Sequence, residues 1–270
     1  MLKGILIGDP VSQSLSHITH NAVLKHLSYP AIYEKICVPK EKIKEAILEL
    51  KACKLRWLAV TMPLKNLIIP HLDYLRDRAH KLQTVNTILV EGDQWIGENC
   101  DGIGAMNALE KEVPVKGKRL LVAGAGATAR AIAYEAKLRG ASVFIWNRTL
   151  IRAESMCSDL KIECVYELTN EYDILINATS VGLSSDKTCI PSEVLKGIGV
   201  VMDVVYVPFE TTLLKTAKAL GCKTISGIEM FFELSAIQLE LALNPPLKRD
   251  DLILIMRKSL EESQSRISLQ

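Results

Sequence analysis

The sequence lacks the features that mark membrane, secreted and metal-binding proteins. None of its apolar runs approaches the roughly 18 residues that a membrane span needs. The apolar start, residues 1–8, is too short for a secretory signal and is better explained as a first strand. The 7 cysteines are scattered and never spaced C-x-x-C, so neither a disulfide framework nor a zinc site is expected. We therefore expect a soluble protein of the reducing cytoplasm, with no membrane partner.

An excess of charge of one sign is also lacking. The net charge is +2, from 33 basic and 31 acidic residues, which gives no reason to expect nucleic acid as a partner. Hydrophobic residues make up 49% of the chain, an ordinary value for a globular protein. A length of 270 residues favours two domains, each with its own core. No exposed apolar heptad is present, so the oligomeric state stays open between a monomer and a homodimer.

The histidines do not suggest a metal either. His17 and His20 have helical spacing, but no acidic or cysteine partner lies near them in the sequence. Zinc and similar metals need more ligands than two histidines supply. No metal is predicted.

Strand-like and helical patterns alternate along the first hundred residues. Strands are predicted at residues 4–7, 31–37 and 57–61, with helices at 16–27 and 40–50. Residues 85–90 and 94–98 predict an antiparallel pair around the turn at 91–93. Together these elements predict a mixed sheet.

A second series of strands and helices follows the turn-rich segment 113–118. Its strands are predicted at 120–123, 142–146, 173–177, 199–204 and 223–226, which is the pattern of a doubly wound parallel sheet. The last forty residues are predicted helical, and Asn244-Pro245-Pro246 separates two of the helices. We expect an α/β protein in which residues 1–103 with 233–270 form one domain and residues 104–232 the other.

A glycine-rich turn joins the first strand of the second series to a helix. The turn reads Gly124-Ala125-Gly126-Ala127-Thr128-Ala129. Gly124 permits a tight turn, Gly126 lets the backbone approach a pyrophosphate, and Ala129 still allows close helix packing. The following helix N-terminus favours a phosphate charge. Although a purely structural turn is the alternative, this context predicts a dinucleotide site on a Rossmann-type sheet.

The end of the next strand indicates which dinucleotide is bound. An NAD enzyme usually carries an acidic residue there for the ribose 2′-hydroxyl. This chain instead has Asn147, Arg148 and Thr149, with Arg152 following. Arginine pairs well with a 2′-phosphate, which favours NADP over NAD. The alternative is that both arginines belong to a solvated helix start.

Four polar clusters follow or precede the strands of the first domain, and each by itself is more often structural than functional. Hydroxyls and helix N-terminal amides in the first cluster could bind a carboxylate. The clusters are Ser12, Ser14 and Ser16; Thr61 and Lys65; Asn86 and Thr87; and Asn99 with Asp101.

Taken in order, these segments resemble the shikimate dehydrogenase family, and the resemblance extends over nearly the whole chain. Besides the glycine turn, the matching stretches are Gly8-Asp9-Pro10-Val11, Ser14-Leu15-Ser16, His20-Asn21, Val60-Thr61-Met62-Pro63-Leu64-Lys65, Val85-Asn86-Thr87, Asn99-Cys100-Asp101-Gly102, Asn147-Arg148-Thr149, Asn177-Ala178-Thr179-Ser180-Val181-Gly182, Asp203-Val204-Val205-Tyr206 with Pro208, and Gly227 with Met230.

The resemblance implies reversible reduction of 3-dehydroshikimate to shikimate by NADPH, with the substrate in a cleft between the two domains. It implies three groups of substrate residues: Ser14, Ser16 and Tyr206 for the ring carboxylate, Thr61 and Asn86 for ring hydroxyls, and Lys65 with Asp101 as the catalytic pair at the reacting oxygen. It further implies cofactor contacts from Asp77, Thr179, Ser180, Val181, Val204, Gly227 and Met230, besides the turn and the residues at 147–149 and 152.

The residue types of the catalytic pair agree with this chemistry. Hydride arriving at a carbonyl carbon builds negative charge on the oxygen, and the ammonium of Lys65 would stabilise that charge and donate the proton. Such acid catalysis typically contributes about 10² to 10⁴-fold. Asp101 would orient the lysine, keep it charged and bind a neighbouring hydroxyl.

The chain departs from the family pattern at five positions. Four of them remove no reacting group: Gln13, His17, Ala59 and Ala127 replace a common histidine, proline, asparagine and glycine. The fifth, Leu234, occupies a substrate-binding position where the family usually has a glutamine. Losing that hydrogen bond should weaken binding by about 0.5 to 1.5 kcal/mol. Gln238 lies one helical turn later and could partly substitute.

Three alternatives therefore stay open. Because Leu234 changes the surface that would recognise the substrate hydroxyls, the chain could instead be a related dehydrogenase that acts on quinate with NAD. A non-catalytic sensor of shikimate-like ligands would have little reason to keep the lysine, the aspartate and the phosphate turn together. The chain could also be one half of a bifunctional protein with a dehydroquinate dehydratase, although it contains no dehydratase segment.

Overall fold

The computed structural model describes residues 1–183 and 185–267. Internal contacts divide the chain into two compact units, the first formed by Met1–Cys100 with Ser235–Gln270 and the second by Asp101–Leu234. The domain boundaries expected from the sequence, after residues 103 and 232, stay predictions. Across the described ranges, no helix is long and apolar enough to cross a membrane.

The first unit is built on a mixed sheet of six strands. The strand order is β2-β1-β3-β5-β6-β4, and β5 alone runs antiparallel to its neighbours. The strands are β1 (Leu2–Gly8), β2 (Ala31–Cys37), β3 (Leu55–Val60), β4 (Tyr74–Leu75), β5 (Thr87–Glu91) and β6 (Gln94–Glu98). The predicted mixed sheet is confirmed. β4 has only two residues and leaves no periodic pattern to detect.

Three helices of the first hundred residues and the C-terminal helix belong to this unit. They are α1 (Ser16–His26), α2 (Ile43–Lys51), α3 (Asp77–Leu82) and α10 (Arg249–Ile267), and α1 packs against α10. α2 buries Ile43, Ile47 and Leu50 along one face. It begins three residues later than predicted because Lys40–Lys42 form a tighter 3₁₀ turn after Pro39.

A stack of buried rings lies in the interior of the first unit. The ring centroids of His20 and Tyr33 are 4.3 Å apart, and those of Tyr33 and Trp57 are 5.6 Å apart. Gly4 makes room for the indole, since a Cβ there would lie 2.2 Å from a ring carbon of Trp57. Burial lowers the pKa of His20 to about 3, so its ring is neutral in the folded protein.

The second unit is built on a sheet of six parallel strands. The strand order is β12-β11-β10-β7-β8-β9, the arrangement of a doubly wound dinucleotide-binding fold. The strands are β7 (Arg119–Ala123), β8 (Ser142–Trp146), β9 (Glu163–Cys164), β10 (Ile174–Asn177), β11 (Val200–Asp203) and β12 (Lys223–Ile225). The predicted α/β fold class is confirmed, although β9 was not predicted.

Helices accompany this sheet, and two of them approach each other closely. They are α4 (Asp101–Glu110), α5 (Ala127–Leu138), α6 (Leu150–Leu160), α7 (Ser192–Leu195) and α8 (Thr212–Ala219). A Cβ at Gly102 would lie 2.2 Å from the carbonyl oxygen of Ala131, so the start of α4 lies directly on α5. A further helix, α9 (Gly227–Leu243), continues the chain from the second unit into residues of the first.

Candidate active site

The polar clusters of the first unit lie at one edge of its sheet. β1 and β3 run parallel, and both end at this edge. β5 runs opposite to β3 and therefore begins there, while β6 ends there. The strand directions thus bring together the segments that carry Ser14 and Ser16, Thr61 and Lys65, and Asn86.

Ser14 and Ser16 form a pair of hydroxyls at the start of α1. Their Oγ atoms are 2.9 Å apart. The Lys35 ammonium donates to the carbonyl oxygens of Ser12 and Ser14, both at 3.0 Å. Two hydroxyls, a helix start and an ammonium group together favour an anion such as a carboxylate. Burial lowers the pKa of Lys35.

Lys35 was not predicted as part of this cluster, because its place depends on strand register. In the parallel pairing of β1 and β2 it lies opposite Leu6, near the end of β1. His17 also belongs to the cluster, since its Nδ1 donates to the carbonyl oxygen of Ser14 at 3.1 Å. Burial, followed by the charge of Lys35, lowers the pKa of His17. Within the described residues, no group of three or more His, Cys, Asp or Glu could hold a metal ion.

Thr61 and Lys65 lie on the tight turn that follows β3. The Thr61 amide donates to Ile7 and the Thr61 carbonyl accepts from Leu64, both at 2.9 Å. The carbonyl of Lys65 accepts from the amide of Val85 at 2.8 Å, which holds the lysine backbone beside the strand that begins after Asn86. Both side chains are half-buried.

Asn86 is buried in a network of its own unit. Its Oδ1 accepts from the Cys100 amide and from the Thr87 hydroxyl, both at 2.9 Å. The Nε2 group of Gln238 donates to the Thr87 hydroxyl at 2.9 Å and to the Asn86 carbonyl at 3.2 Å. The amide of Gln238 therefore already serves two acceptors inside the first unit.

The glycine turn of the second unit lies where the strand order reverses, between β7 and β10. Ligands of doubly wound sheets bind at this point. Gly124 has φ +127°, and a Cβ there would lie 2.9 Å from the Ala178 carbonyl oxygen, so a side chain would be strained. A Cβ at Gly126 would meet nothing within 4 Å, which leaves this side of the turn open. α5 has no acidic residue in its first turn, so its positive end suits a phosphate.

The segment after β8 carries two exposed guanidinium groups. Arg148 precedes α6 and Arg152 lies in its first turn, which contains no acidic residue. The amide of Asn147 donates to the Thr149 carbonyl at 2.9 Å and so shapes the turn between strand and helix. These donors fit a ribose 2′-phosphate.

Two buried side chains organise the loops after β10 and β11. Asp203 accepts from the Thr211 hydroxyl at 2.7 Å and from the Asn177 amide at 2.9 Å. Burial raises the pKa of Asp203, and these hydrogen bonds oppose the rise. Asn177 in turn accepts from the Thr179 hydroxyl at 2.7 Å, and that hydroxyl accepts from the Val181 amide at 3.1 Å. These hydrogen bonds tie the start of the predicted cofactor segment, which includes the exposed Ser180, to the end of β10.

Asp101 touches the glycine turn directly. It is the first residue of α4 and is buried, and its Oδ2 accepts from the Thr128 hydroxyl at 3.4 Å. Because negative charge is favoured at a helix N-terminus, this position suits a carboxylate. A predicted catalytic residue and a predicted cofactor residue are therefore joined within the second unit.

The remaining predicted residues lie in different places. The ring of Tyr206 packs 5.1 Å from that of Phe231, in the same turn of α9 as Met230. A Cβ at Gly227 would lie 2.5 Å from the Val204 carbonyl oxygen, which places the start of α9 against the end of β11. Leu234 is half-buried, and its side chain lies against Gly104 in the second unit. Asp77 is exposed at the start of α3 in the first unit.

The strand order and the glycine turn at its reversal point are those of a dinucleotide-binding unit of the kind found in nicotinamide-dependent oxidoreductases. Comparison with known proteins makes the assignment more specific. The family model for the shikimate dehydrogenase substrate binding domain matches residues 6–88, and the model for shikimate / quinate 5-dehydrogenase matches residues 107–192. This chain belongs to the shikimate dehydrogenase family, which confirms the resemblance inferred from its motifs.

Individual relatives agree with the family models. A shikimate dehydrogenase (NADP(+)) of Thermococcus kodakarensis is 39% identical over 83% of this chain and 85% of its own length. The structure of shikimate 5-dehydrogenase from Thermus thermophilus in complex with NADP(H) and shikimate has a TM-score of 0.89 at 31% identity, covering 96% of this chain and 100% of that one. A ligand-free 5-ketofructose reductase of a Gluconobacter species has a TM-score of 0.81 at 29% identity, covering 96% and 98%.

Proposed function

We propose that this chain is an NADP-dependent shikimate dehydrogenase that reversibly reduces 3-dehydroshikimate to shikimate in aromatic amino acid biosynthesis. The observation that carries the proposal is the glycine turn at the reversal point of the β7–β12 sheet, in a chain whose two halves both match the family. The curated relatives are named shikimate dehydrogenase (NADP(+)).

The preference for NADP has a physical basis in the second unit. Arg148 and Arg152 are exposed beside the end of β8, and no carboxylate is present in the first turn of α6 to bind a ribose 2′-hydroxyl instead. Charge-assisted hydrogen bonds from guanidinium to phosphate are among the stronger polar contacts in proteins. When bound, NADPH supplies the hydride. The turn from Gly124 to Ala129 would hold its pyrophosphate, and Val204 and Gly227 would flank the nicotinamide. Further cofactor contacts would come from Thr179, Ser180, Val181 and Met230.

Lys65 and Asp101 are the proposed catalytic pair. The Lys65 ammonium would donate its proton to the carbonyl oxygen as negative charge develops there, and would take the proton back from the hydroxyl in the oxidative direction. Asp101 would keep the lysine charged and accept a hydrogen bond from a neighbouring substrate hydroxyl. Its contact with the Thr128 hydroxyl supports this role, because the carboxylate is then oriented from its own unit.

The substrate residues are proposed by chemical type. Ser14 and Ser16, with Tyr206, would bind the ring carboxylate, and the Lys35 ammonium supports this by placing positive charge beside the two serine hydroxyls. Thr61 and Asn86 would bind ring hydroxyls. The apolar side chain of Leu234 cannot hydrogen bond, so it would contribute only a packing surface. Asp77, exposed at the start of α3, is proposed as a further cofactor contact.

The cellular compartment and the oligomeric state are also proposals. All seven cysteines are free, which fits the reducing cytoplasm. The oligomeric state, a monomer or a homodimer, stays a prediction.

The test is a steady-state assay that follows formation of NADPH or NADH by the near-ultraviolet absorbance of the reduced nicotinamide. Shikimate and quinate are each offered with NADP+ and with NAD+. We expect the highest kcat/KM for shikimate with NADP+. Absence of shikimate oxidation would overturn the proposal, and a preference for quinate with NAD+ would replace it by the related quinate activity.

A further inference from the structure

The ammonium group of Lys35 carries a positive charge that no neighbouring carboxylate neutralises. Its Nζ donates to the carbonyl oxygens of Ser12 and Ser14, both at 3.0 Å. Within the part of the chain that the structure describes, no carboxylate lies at ion-pair distance from this nitrogen. The adjacent Glu34 pairs instead with Lys3 at 2.8 Å. An ammonium has three protons, so one donor of Lys35 is left for a further ligand.

Two contacts between β2 and α1 direct Lys35 toward the serine hydroxyls. Side chains alternate along a strand, so Lys35 lies on the same face of β2 as Tyr33. The ring of Tyr33 stacks on His20 of α1, with centroids 4.3 Å apart, so this face is turned to α1. The side chain of Asn21 donates to the Tyr33 carbonyl at 2.8 Å and accepts from the Tyr33 amide at 2.9 Å. The strand is thus attached to α1 two residues before Lys35.

The serine pair supplies a second unused donor beside this ammonium. The Ser14 and Ser16 Oγ atoms are 2.9 Å apart, and the Ser16 backbone amide donates to Ser14 Oγ at 3.3 Å. Two hydroxyls have two protons, and the hydrogen bond between them uses one. For the other, no acceptor is found among the described residues. One hydroxyl proton, one ammonium proton and a positive charge match the two oxygens and negative charge of a carboxylate.

We propose that Lys35 is a specificity-determining residue whose ammonium forms an ion pair with the ring carboxylate of the substrate. The inference rests on the proposed function, in which Ser14 and Ser16 bind that carboxylate. It adds a substrate contact from β2, a strand that carries none of the predicted site residues. A site with this charge should favour an acid over a neutral analogue of the same shape, because the neutral ligand leaves the ammonium without a counter-charge.

The decisive experiment compares shikimate with its methyl ester, which keeps the ring and hydroxyls but has no charge. Lys35→Met keeps an apolar stem and removes the ammonium. With saturating NADP+, we expect KM for shikimate to rise about 5- to 30-fold, between the effects of exposed and buried charge-assisted contacts. For the ester, kcat/KM should change less than about twofold. If the ester is not oxidised, its inhibition constant against shikimate replaces kcat/KM.

Salt dependence provides a second measurement. Raising KCl from ~0.05 to ~0.5 M screens an ion pair, so KM for shikimate in the wild type should rise about twofold or more. In Lys35→Met the rise should be much smaller. Lys35→Arg keeps the charge and should retain most of the preference for the acid. Lys25→Met removes a lysine from an exposed position of α1 and should behave like the wild type. Melting temperatures are measured throughout, and Lys35→Gln replaces Lys35→Met if that variant does not fold.

The comparison of the two ligands separates an ion pair from a structural role. Equal losses for the acid and the ester would mean that Lys35 only holds the segment of Ser12 and Ser14 through its carbonyl contacts. That result, or an unchanged KM for shikimate in an active Lys35→Met enzyme, overturns the inference and leaves the proposed function intact. A wild-type protein that does not oxidise shikimate overturns both.

Discussion

The two units provide binding groups in different ways. In the second unit the proposed cofactor site is largely main chain: a turn at Gly124, an open backbone at Gly126 and the start of α5. In the first unit the proposed substrate site consists of side chains from segments that meet only at the edge of the sheet. Phosphates can be held by amides and a helix dipole, whereas a ring with several hydroxyls and a carboxylate needs separately placed donors and acceptors.

This difference has a consequence for how each site tolerates change. A main-chain site depends on turn geometry, so it is sensitive to substitutions that add a Cβ, as at Gly124. A side-chain site depends on the orientation of each amide and hydroxyl, so it is expected to be sensitive to changes in the residues that hydrogen bond to them. The predictions below test this contrast, from the largest expected effect to the smallest.

Lys65→Ala tests whether the first unit supplies the proton donor. We expect kcat to fall by about 10²- to 10⁴-fold, the usual contribution of a positioned acid. KM for shikimate should change much less, because the ammonium acts mainly as charge develops on the oxygen. Lys54→Ala, at an exposed position before β3, is the matched control. A near-normal kcat in Lys65→Ala would exclude this lysine from proton transfer.

The double variant Arg148→Ala, Arg152→Ala tests the side-chain part of the cofactor site. Losing charge-assisted hydrogen bonds to a 2′-phosphate should lower kcat/KM for NADP+ by roughly 10- to 100-fold. The value for NAD+, which lacks that phosphate, should stay nearly constant. Lys218→Ala, on the exposed face of α8, controls for the loss of positive charge. Equal losses with the two cofactors would contradict the assignment.

His20 tests the interior of the first unit through pH. Its pKa in the folded protein, about 3, is below the ordinary value of 6.5, so the unfolded chain binds the extra proton between these limits. The contribution of His20 to the free energy of unfolding is therefore fully present above about pH 6.5. As the pH falls toward 3 this free energy decreases by ~1.4 kcal/mol per pH unit, because only the unfolded chain takes up the proton. Urea unfolding of wild type and His20→Gln between these limits should show a steeper pH dependence for wild type. His26→Gln, at an exposed histidine, should behave like wild type.

Thr128→Val tests the contact between the glycine turn and Asp101. Removing the hydroxyl should reduce kcat by about three- to tenfold, since one hydrogen bond that orients the carboxylate is lost. Thr128→Ser should keep most of the activity. If Thr128→Val changes only KM for NADP+, Thr128 serves the cofactor alone. The proposal that its hydroxyl orients Asp101 would then be wrong.

The contrast between the units also explains how far sequence patterns could lead. The glycine turn is a local feature, and the strands around it were predicted almost to the residue, as at β8. The contribution of Lys35 depends on its register opposite β1, and that of Gln238 on how residues of α9 meet β5. Both arrangements depend on contacts between segments that are distant in the sequence, and local periodicity does not predict such contacts. The two-residue strands β4 and β9 were missed because they have no period to detect.

Gly102 has a practical consequence for the construction of chimeric enzymes. Because even a methyl group at this position would overlap the Ala131 carbonyl, exchanging α4 and α5 together is the exchange that preserves their close packing. The turn-rich segment 113–118 looks like a natural crossover point between parental genes, but a junction there would combine α4 of one parent with α5 of another. A junction between Cys100 and Asp101 keeps the helix pair, and the Asp101–Thr128 contact with it, from a single parent.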